Sequence, residues 1–269
     1  MRIHIDYRTT YRYEFVASGI VQALRLRPSD HDAQHVRHWR VDVDVDGVTR
    51  TSSDPFGNRL DMFYADAPTM ALTIAVVGEA DVSEVVGLVK GAPEPLPPAI
   101  FLRTTPLTRV DPALIDLAEG ARRPEVLPTL HALMAAMHER ISFDTAATDV
   151  ATAATDALAS GRGVCQDFAH IFSAGARHLG IPARYVSGHL ARPERQEASH
   201  AWAEAYVPDL GWVAFDPANG ICTTDSYLRV AVGLDYLDAA PVRGARRGGG
   251  AEALDVTVQA VDAMRQSQS

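Results

Sequence analysis

The stretch from Gly161 to Pro182, G-R-G-V-C-Q-D-F-A-H-I-F-S-A-G-A-R-H-L-G-I-P, constrains the fold more than any other. Two glycines beside a cysteine mark a tight turn, and a helical pattern begins directly after it. Phe168, Ile171, Phe172 and Leu179 recur at three- and four-residue steps or whole turns, which lines one helix face with apolar side chains. Gly180 supplies the stop, and Pro182 forbids resumption. The pattern predicts a helix buried along one face, with Cys165 in its first turn.

That position has chemical consequences. An ordinary thiol, with a pKa near ~8.5, is only slightly ionised at neutral pH, and the thiolate is the nucleophile. Activation by roughly three pKa units requires about 4 kcal/mol of preferential stabilisation of the anion. A helix N-terminus supplies about 0.3–2 kcal/mol, so a cationic partner is also needed. Without one, Cys165 is a small, buried, inert residue, as most free cysteines are.

Candidate partners follow. Ser199–Val207, S-H-A-W-A-E-A-Y-V, alternates as a strand, P-D-L-G is a loop, and W-V-A-F-D-P from Trp212 reads as a second strand. His200 then begins one strand of a hairpin and Asp216 ends the other. They share a face only if the register sets them directly opposite or diagonal. A register of the other parity would separate them.

The runs G-V-C-Q-D-F-A-H, G-I-P-A-R-Y-V-S-G and S-H-A-W-A-E-A-Y-V-P-D-L-G-W-V-A-F-D-P-A-N-G closely resemble the bacterial transglutaminase-like cysteine enzymes. D-P-F-G-N from Asp54 resembles the N-terminal β-domain accompanying that core, and R-V-A-V-G-L-D-Y from Arg229 with P-V-R-G from Pro241 resembles its C-terminal part. The resemblance implies Cys165 as nucleophile, His200 as base and Asp216 as its orienter. One departure is visible: Tyr227 and Leu228 stand where the family pattern leads us to expect a histidine. The implied fold is α+β, an N-terminal antiparallel β-domain plus a papain-like, transglutaminase-like core whose nucleophile helix packs on an antiparallel sheet.

Composition narrows the function. With 269 residues the chain holds one large or two modest domains. A formal charge of −9 argues against nucleic acid or an anionic membrane as partner. Two cysteines cannot build a disulfide framework. The opening M-R-I-H-I-D-Y lacks an apolar signal core, and no run approaches a membrane span, so the expected location is the reducing cytoplasm.

Residues 1–90 read as a β-rich domain. Ile3, Ile5 and Tyr7 alternate with polar residues, as do Trp39, Val41, Val43 and Val45. Asp42, Asp44, Asp46 and Gly47 imitate the opening of a calcium loop, but Arg50 and Ser53 occupy its ninth and twelfth positions, and alternating valines demand a strand. His31, His35 and His38 span a loop-to-strand junction without a cysteine and read as surface histidines. No metal or cofactor is expected. Residues 91–105 form a Pro-rich linker, starting with G-A-P-E-P-L-P-P-A. The core is assigned to 106–262. It opens with a helix capped by Asp111 and Pro112 and a longer one from Leu127 to about Arg140. Ala183–Leu190 is a strand, and Ala191–Ser199 a mobile loop or a plain surface connection beside His200. R-G-A-R-R-G-G-G from Arg243 reads as a flexible connection before a strand from Leu254, and 263–269 as a disordered tail.

The chemistry so implied is acyl transfer on a peptide or carboxamide substrate through a cysteine thioester. Water as acceptor makes a peptidase or amidase, the favoured reading; an amine makes a transglutaminase. The backbone N–H of Cys165 is one oxyanion donor, and Gln166 and Trp202 are the candidates for the second. Arylamine N-acetyltransferases share the Cys-His-Asp order, but their cysteine lies early in the chain. Peptide N-glycanases carry paired C-x-x-C zinc motifs absent here. A non-catalytic binding module on the same core is the rival from another class. Cys222, six positions after Asp216, is close enough in sequence to raise the question of a disulfide with Cys165.

Overall fold

The computed structural model describes residues 1–194 and 198–263. The chain opens with β1 (Arg2–Leu24), on which alternating Ile3, Ile5 and Tyr7 are buried. β2 (Gln34–Val43), β3 (Val48–Ser53), β4 (Arg59–Ala65) and β5 (Thr69–Val82) follow. β4 and β5 run end to end along one edge of β1, with Leu24 opposite Asp61 and Arg2 opposite Asp81. β3 and β2 continue the pattern outside them. Register breaks between Arg12 and Ala17, and Gly19 takes φ 54°, so β1 bends there. The sheet thereby encloses a core including Ile5, Ile20, Phe63 and Ile74.

The linker region is built into the fold. β6 (Leu88–Val89) joins the second sheet, and Glu94 forks onto Arg184 at 2.8 and 2.9 Å. Phe101, 1% exposed, stands edge-on to Trp212 at 5.2 Å. The Pro-rich run is therefore anchored at its charged residue, where sequence suggested a spacer.

α1 (Pro112–Ala121) starts as expected, with Asp111 accepting from the Leu114 N–H at 2.9 Å. α2 (Val126–Arg140), β7 (Ser142–Phe143), α3 (Ala154–Ser160) and β8 (Arg162–Gly163) lead into α4 (Cys165–His178). β9 (Ala183–Leu190), β10 (His200–Val207), β11 (Gly211–Asp216), β12 (Ile221–Cys222) and β13 (Tyr227–Gly233) form the second sheet in the order β12-β11-β10-β9-β13, all antiparallel. Phe168, Ile171 and Phe172 of α4 pack with Ala203, Ala205 and Phe215 on one face of this sheet. α5 (Tyr236–Ala239) is a single turn beyond β13.

The chain then leaves the core. β14 (Val242–Gly248) and β15 (Glu252–Asp262) lie end to end along the other edge of β1, from Leu24 opposite Val242 to Ile3 opposite Asp262. The segment 242–262, expected inside the core, completes the first sheet instead. The Arg/Gly run expected as a connection is mostly strand. Its glycines 248–250, with φ of 69°, 90° and 63°, turn the chain between β14 and β15. All but the first residue of the expected 263–269 tail lies outside the described residues, as does the middle of the 191–199 loop.

Candidate active site

The turn before Cys165 is held by a buried acid. Asp167 is fully buried, and its Oδ2 accepts from the Val164 N–H at 2.8 Å and from Thr148 Oγ1 at 2.6 Å. A Cβ on Gly163 would lie 2.7 Å from that carboxylate, so the glycine is required by close approach. Gly161, at φ 63°, caps α3 in the left-handed region. The motif G-R-G-V-C-Q-D thus presents Cys165, half-buried, as the first residue of α4.

The hairpin register decides the partners. Ala203 lies opposite Phe215, which carries Trp202 opposite Asp216 and leaves His200 diagonal to it on the same face. His200 Nε2 meets Asp216 Oδ2 at 2.6 Å, and the imidazole lies beside Cys165, which favours its protonated form. With Nε2 engaged by the carboxylate, Nδ1 is the nitrogen available to the sulfur. Burial works against the protonated imidazole, but Asp216 and Cys165 outweigh it, raising it to about 10. Burial likewise pushes the Asp216 carboxyl up, yet the hydrogen bonds from His200, Asn219 and Tyr227 leave it below its ordinary value.

Asp216 receives more donors than the sequence suggested. Tyr227 Oη donates to Oδ2 at 2.8 Å, Asn219 Nδ2 to Oδ2 at 2.5 Å, and the Ala218 and Asn219 N–H groups to Oδ1 at 3.1 and 3.2 Å. Arg192, at the start of the loop before His200, donates in turn to Asn219 Oδ1 at 3.1 Å. Tyr227 is the residue that stood out as a departure from the family pattern. Asn219 had a signal only in the turn-forming P-A-N-G that follows Asp216.

The candidate oxyanion donors separate. Trp202 packs with Val186, Leu190, Ala214 and Tyr227, on the face away from α4, because its odd-numbered neighbours Ala201, Ala203 and Ala205 take the helix face. Its ring walls His200 at 6.1 Å and meets Tyr227 edge-on at 5.5 Å. A Cβ on Gly188 would strike that indole, which explains the bare glycine opposite His200. Gln166 sits next to Cys165, with Nε2 donating to the Val150 carbonyl at 3.3 Å.

Cys222 lies opposite Phe215 on β12, whereas Cys165 packs near Tyr185 of β9 and Ala201 of β10. Cys222 packs against the core that holds Phe168 and Phe172 of α4, whereas Tyr185 and Ala201, which border Cys165, belong to a separate cluster. Both thiols are free. His31 departs from the surface reading: it is half-buried, and burial, with Arg229 nearby, lowers it to about 4. His35 and His38 are exposed.

The first of the two family models matching the chain, "Transglutaminase-like superfamily", covers residues 116–217 and so spans Cys165, His200 and Asp216. The second, "Bacterial transglutaminase-like N-terminal region", covers residues 3–81. Uncharacterized protein ML0607 of Mycobacterium leprae is 31% identical over 96% of this chain and 98% of its own length. The chain belongs to the transglutaminase-like superfamily. Uncharacterized protein Rv2569c of Mycobacterium tuberculosis is 29% identical over 90% of this chain and 87% of its own. Among solved structures, a "Putative Cysteine Protease" from Cytophaga hutchinsonii superposes with a TM-score of 0.75 at 20% identity, covering 97% of this chain and 91% of that one, a likeness of fold. The match extends over the N-terminal sheet as well as the transglutaminase-like core. Among the described residues no helix is long and apolar enough to cross a membrane.

Proposed function

We propose that this transglutaminase-like protein catalyses thiol-dependent acyl transfer at a peptide or carboxamide carbonyl, with water as the acceptor. The observation that carries the reading is the imidazole of His200, held by Asp216 at 2.6 Å and lying beside Cys165, two groups that both favour its protonated form. A protonated imidazole beside the sulfur is the cation that a thiolate requires. The thiolate attacks the carbonyl carbon and its π electrons move to oxygen. The backbone N–H of Cys165, first in its helix and without an intrahelical acceptor, faces that developing charge. His200 gives its proton to the departing amine as the C–N bond breaks, leaving a thioester. Water then loses a proton to His200 and attacks the thioester, and the thiolate leaves with the carboxylic acid released. Asp216 stays ionised and keeps the imidazole oriented.

Membership of the superfamily and the likeness to a protein named as a cysteine protease support the reading. Alkylation of Cys165 by iodoacetamide at pH 6, followed by peptide mass spectrometry so that Cys222 is not counted, tests it. His200→Ala should slow the reaction at least about tenfold. Equal rates in the two proteins would sink the proposal in favour of a non-catalytic binding module. A reactive thiolate would then be offered peptides and glutaminyl–amine pairs, where a stable amide to the amine would make the acceptor an amine.

A further inference from the structure

β13 closes one edge of the core sheet, and two side-chain amides of the N-terminal region cover that edge, Gln34 from β2 and Asn58 from the turn between β3 and β4. Gln34 Oε1 accepts from the Arg229 N–H at 2.8 Å while its Nε2 donates to the Arg229 carbonyl at 2.9 Å. Asn58 repeats the arrangement at Val232, with 2.8 and 2.7 Å. Each amide presents one donor and one acceptor, as a neighbouring strand would. Both are buried, 2% and 4% exposed, and both are held from behind: Gln34 also donates to the Ser29 carbonyl at 2.9 Å, and Asn58 to Asp54 Oδ2 at 3.0 Å.

The strand so clasped carries Tyr227, 5% exposed, whose hydroxyl reaches Asp216. The other amide and N–H donors to Asp216 come from Ala218 and Asn219, in the turn that directly follows it, and move with it. Tyr227 comes from a different strand and ties that turn to the sheet. A slip of β13 by one residue would carry its hydroxyl to the opposite face.

We propose that the N-terminal region is a positioning element for the active site: Gln34 and Asn58 lock β13 in register, and Tyr227 on that strand holds the Asp216 carboxylate against His200. Its catalytic meaning rests on the acyl-transfer reading. Its geometry does not, and the test separates the two. Among the described residues, the groups facing His200 are Asp216 from β11, Cys165 from α4, His189 from β9 and Tyr227 from β13, with Arg192 beyond Tyr227.

The experiment is an NMR titration of the His200 imidazole in the full chain, for wild type, Tyr227→Phe, Asn58→Leu and the double variant, with Cys165 alkylation measured on the same samples. Each single variant is expected to lower the His200 midpoint by about half a unit or more. The double variant is expected to lower it no further than Tyr227→Phe alone, because Asn58 acts through Tyr227. Ile20→Val, which loosens the N-terminal core without removing a bond to β13, is expected to leave the midpoint in place. If Asn58→Leu does not fold, Gln34→Met replaces it in the cycle. An unchanged midpoint in Tyr227→Phe, additive shifts in the double variant, or an equal shift in Ile20→Val would overturn the proposal. An inert Cys165 in the wild type, with the expected pattern of midpoints, would overturn the acyl-transfer reading alone.

Discussion

His200 and His189 sit on adjacent strands, yet their surroundings leave them in opposite charge states. His200 has a carboxylate and a thiol as partners and is raised to about 10. His189 has no partner on its buried Nδ1 among the described residues, and burial, with the charge of His200 beside it, lowers it to about 4. Burial lowers His170 to about 3, and its Nε2 accepts from the Tyr236 N–H at 3.1 Å as a neutral ring must. The signs follow from linkage. The depressed histidines, His31 among them, stabilise the fold fully above about 6.5, and that stability is lost as pH falls toward 4. His200 contributes fully below about 6.5 and loses that contribution as pH rises through about 10. Thermal unfolding should therefore occur more than about 5 °C lower at pH 4.5 than at pH 6.5, with His189→Gln reducing the difference. The melting deficit of His200→Gln should be larger at pH 6 than at pH 10.5. Scanning calorimetry across that range checks both.

Three strands of the core sheet are stitched by one buried acid. Glu204 on β10 is fully buried and meets Arg184 of β9 at 2.6 Å and Arg229 of β13 at 2.8 Å. Burial opposes its ionisation, but the two guanidiniums more than offset this and hold it at about 2. Arg184 also stacks over Trp212 at 3.9 Å and reaches Glu94 of the Pro-rich segment. The charges are arranged so that removing one leaves its partners buried without compensation. Glu204→Gln should cost about 3–5 kcal/mol in urea-induced unfolding, far more than an exposed pair such as Arg122–Glu119. A loss below about 1 kcal/mol would mean that water reaches the cluster. None of this was visible along the chain, because Glu94, Arg184, Glu204 and Arg229 are far apart in sequence and each looks like an ordinary solvated charge.

The molecule as a whole is organised by β1, whose two edges are occupied by β4 and β5 and by β14 and β15. The last strands bury Val258 and Ala260 at 1% and 0% exposure in the first core. A chain ending after Pro241 should lose more than about 5 °C in melting temperature or fail to stay soluble, since it bares a long strand edge. A melting temperature within about 2 °C of the full chain would show that the returning strands are accessory. The expected division, a linker over 91–105 and a core from 106, divides the chain in sequence. In space, the first sheet is made from both ends of the chain.

What the sequence determined by itself is local: the glycine turn, the capped helix starting at Cys165, the alternation of both hairpin strands, and the parity condition tying His200 to Asp216. These depend on dihedral preference and on periods of 2 and 3.6 residues, which act over short spans. Tertiary structure decided the register that satisfies that condition, the face on which Trp202 falls, and the donors gathered on Asp216. It also decided that Gln34 and Asn58 clasp a strand more than 170 residues away, at separations of 195 and 174. A polar side chain carries no mark of its partner in the chain. Only packing, which leaves a buried N–H or C=O costly unless it is paired, selects which one it meets.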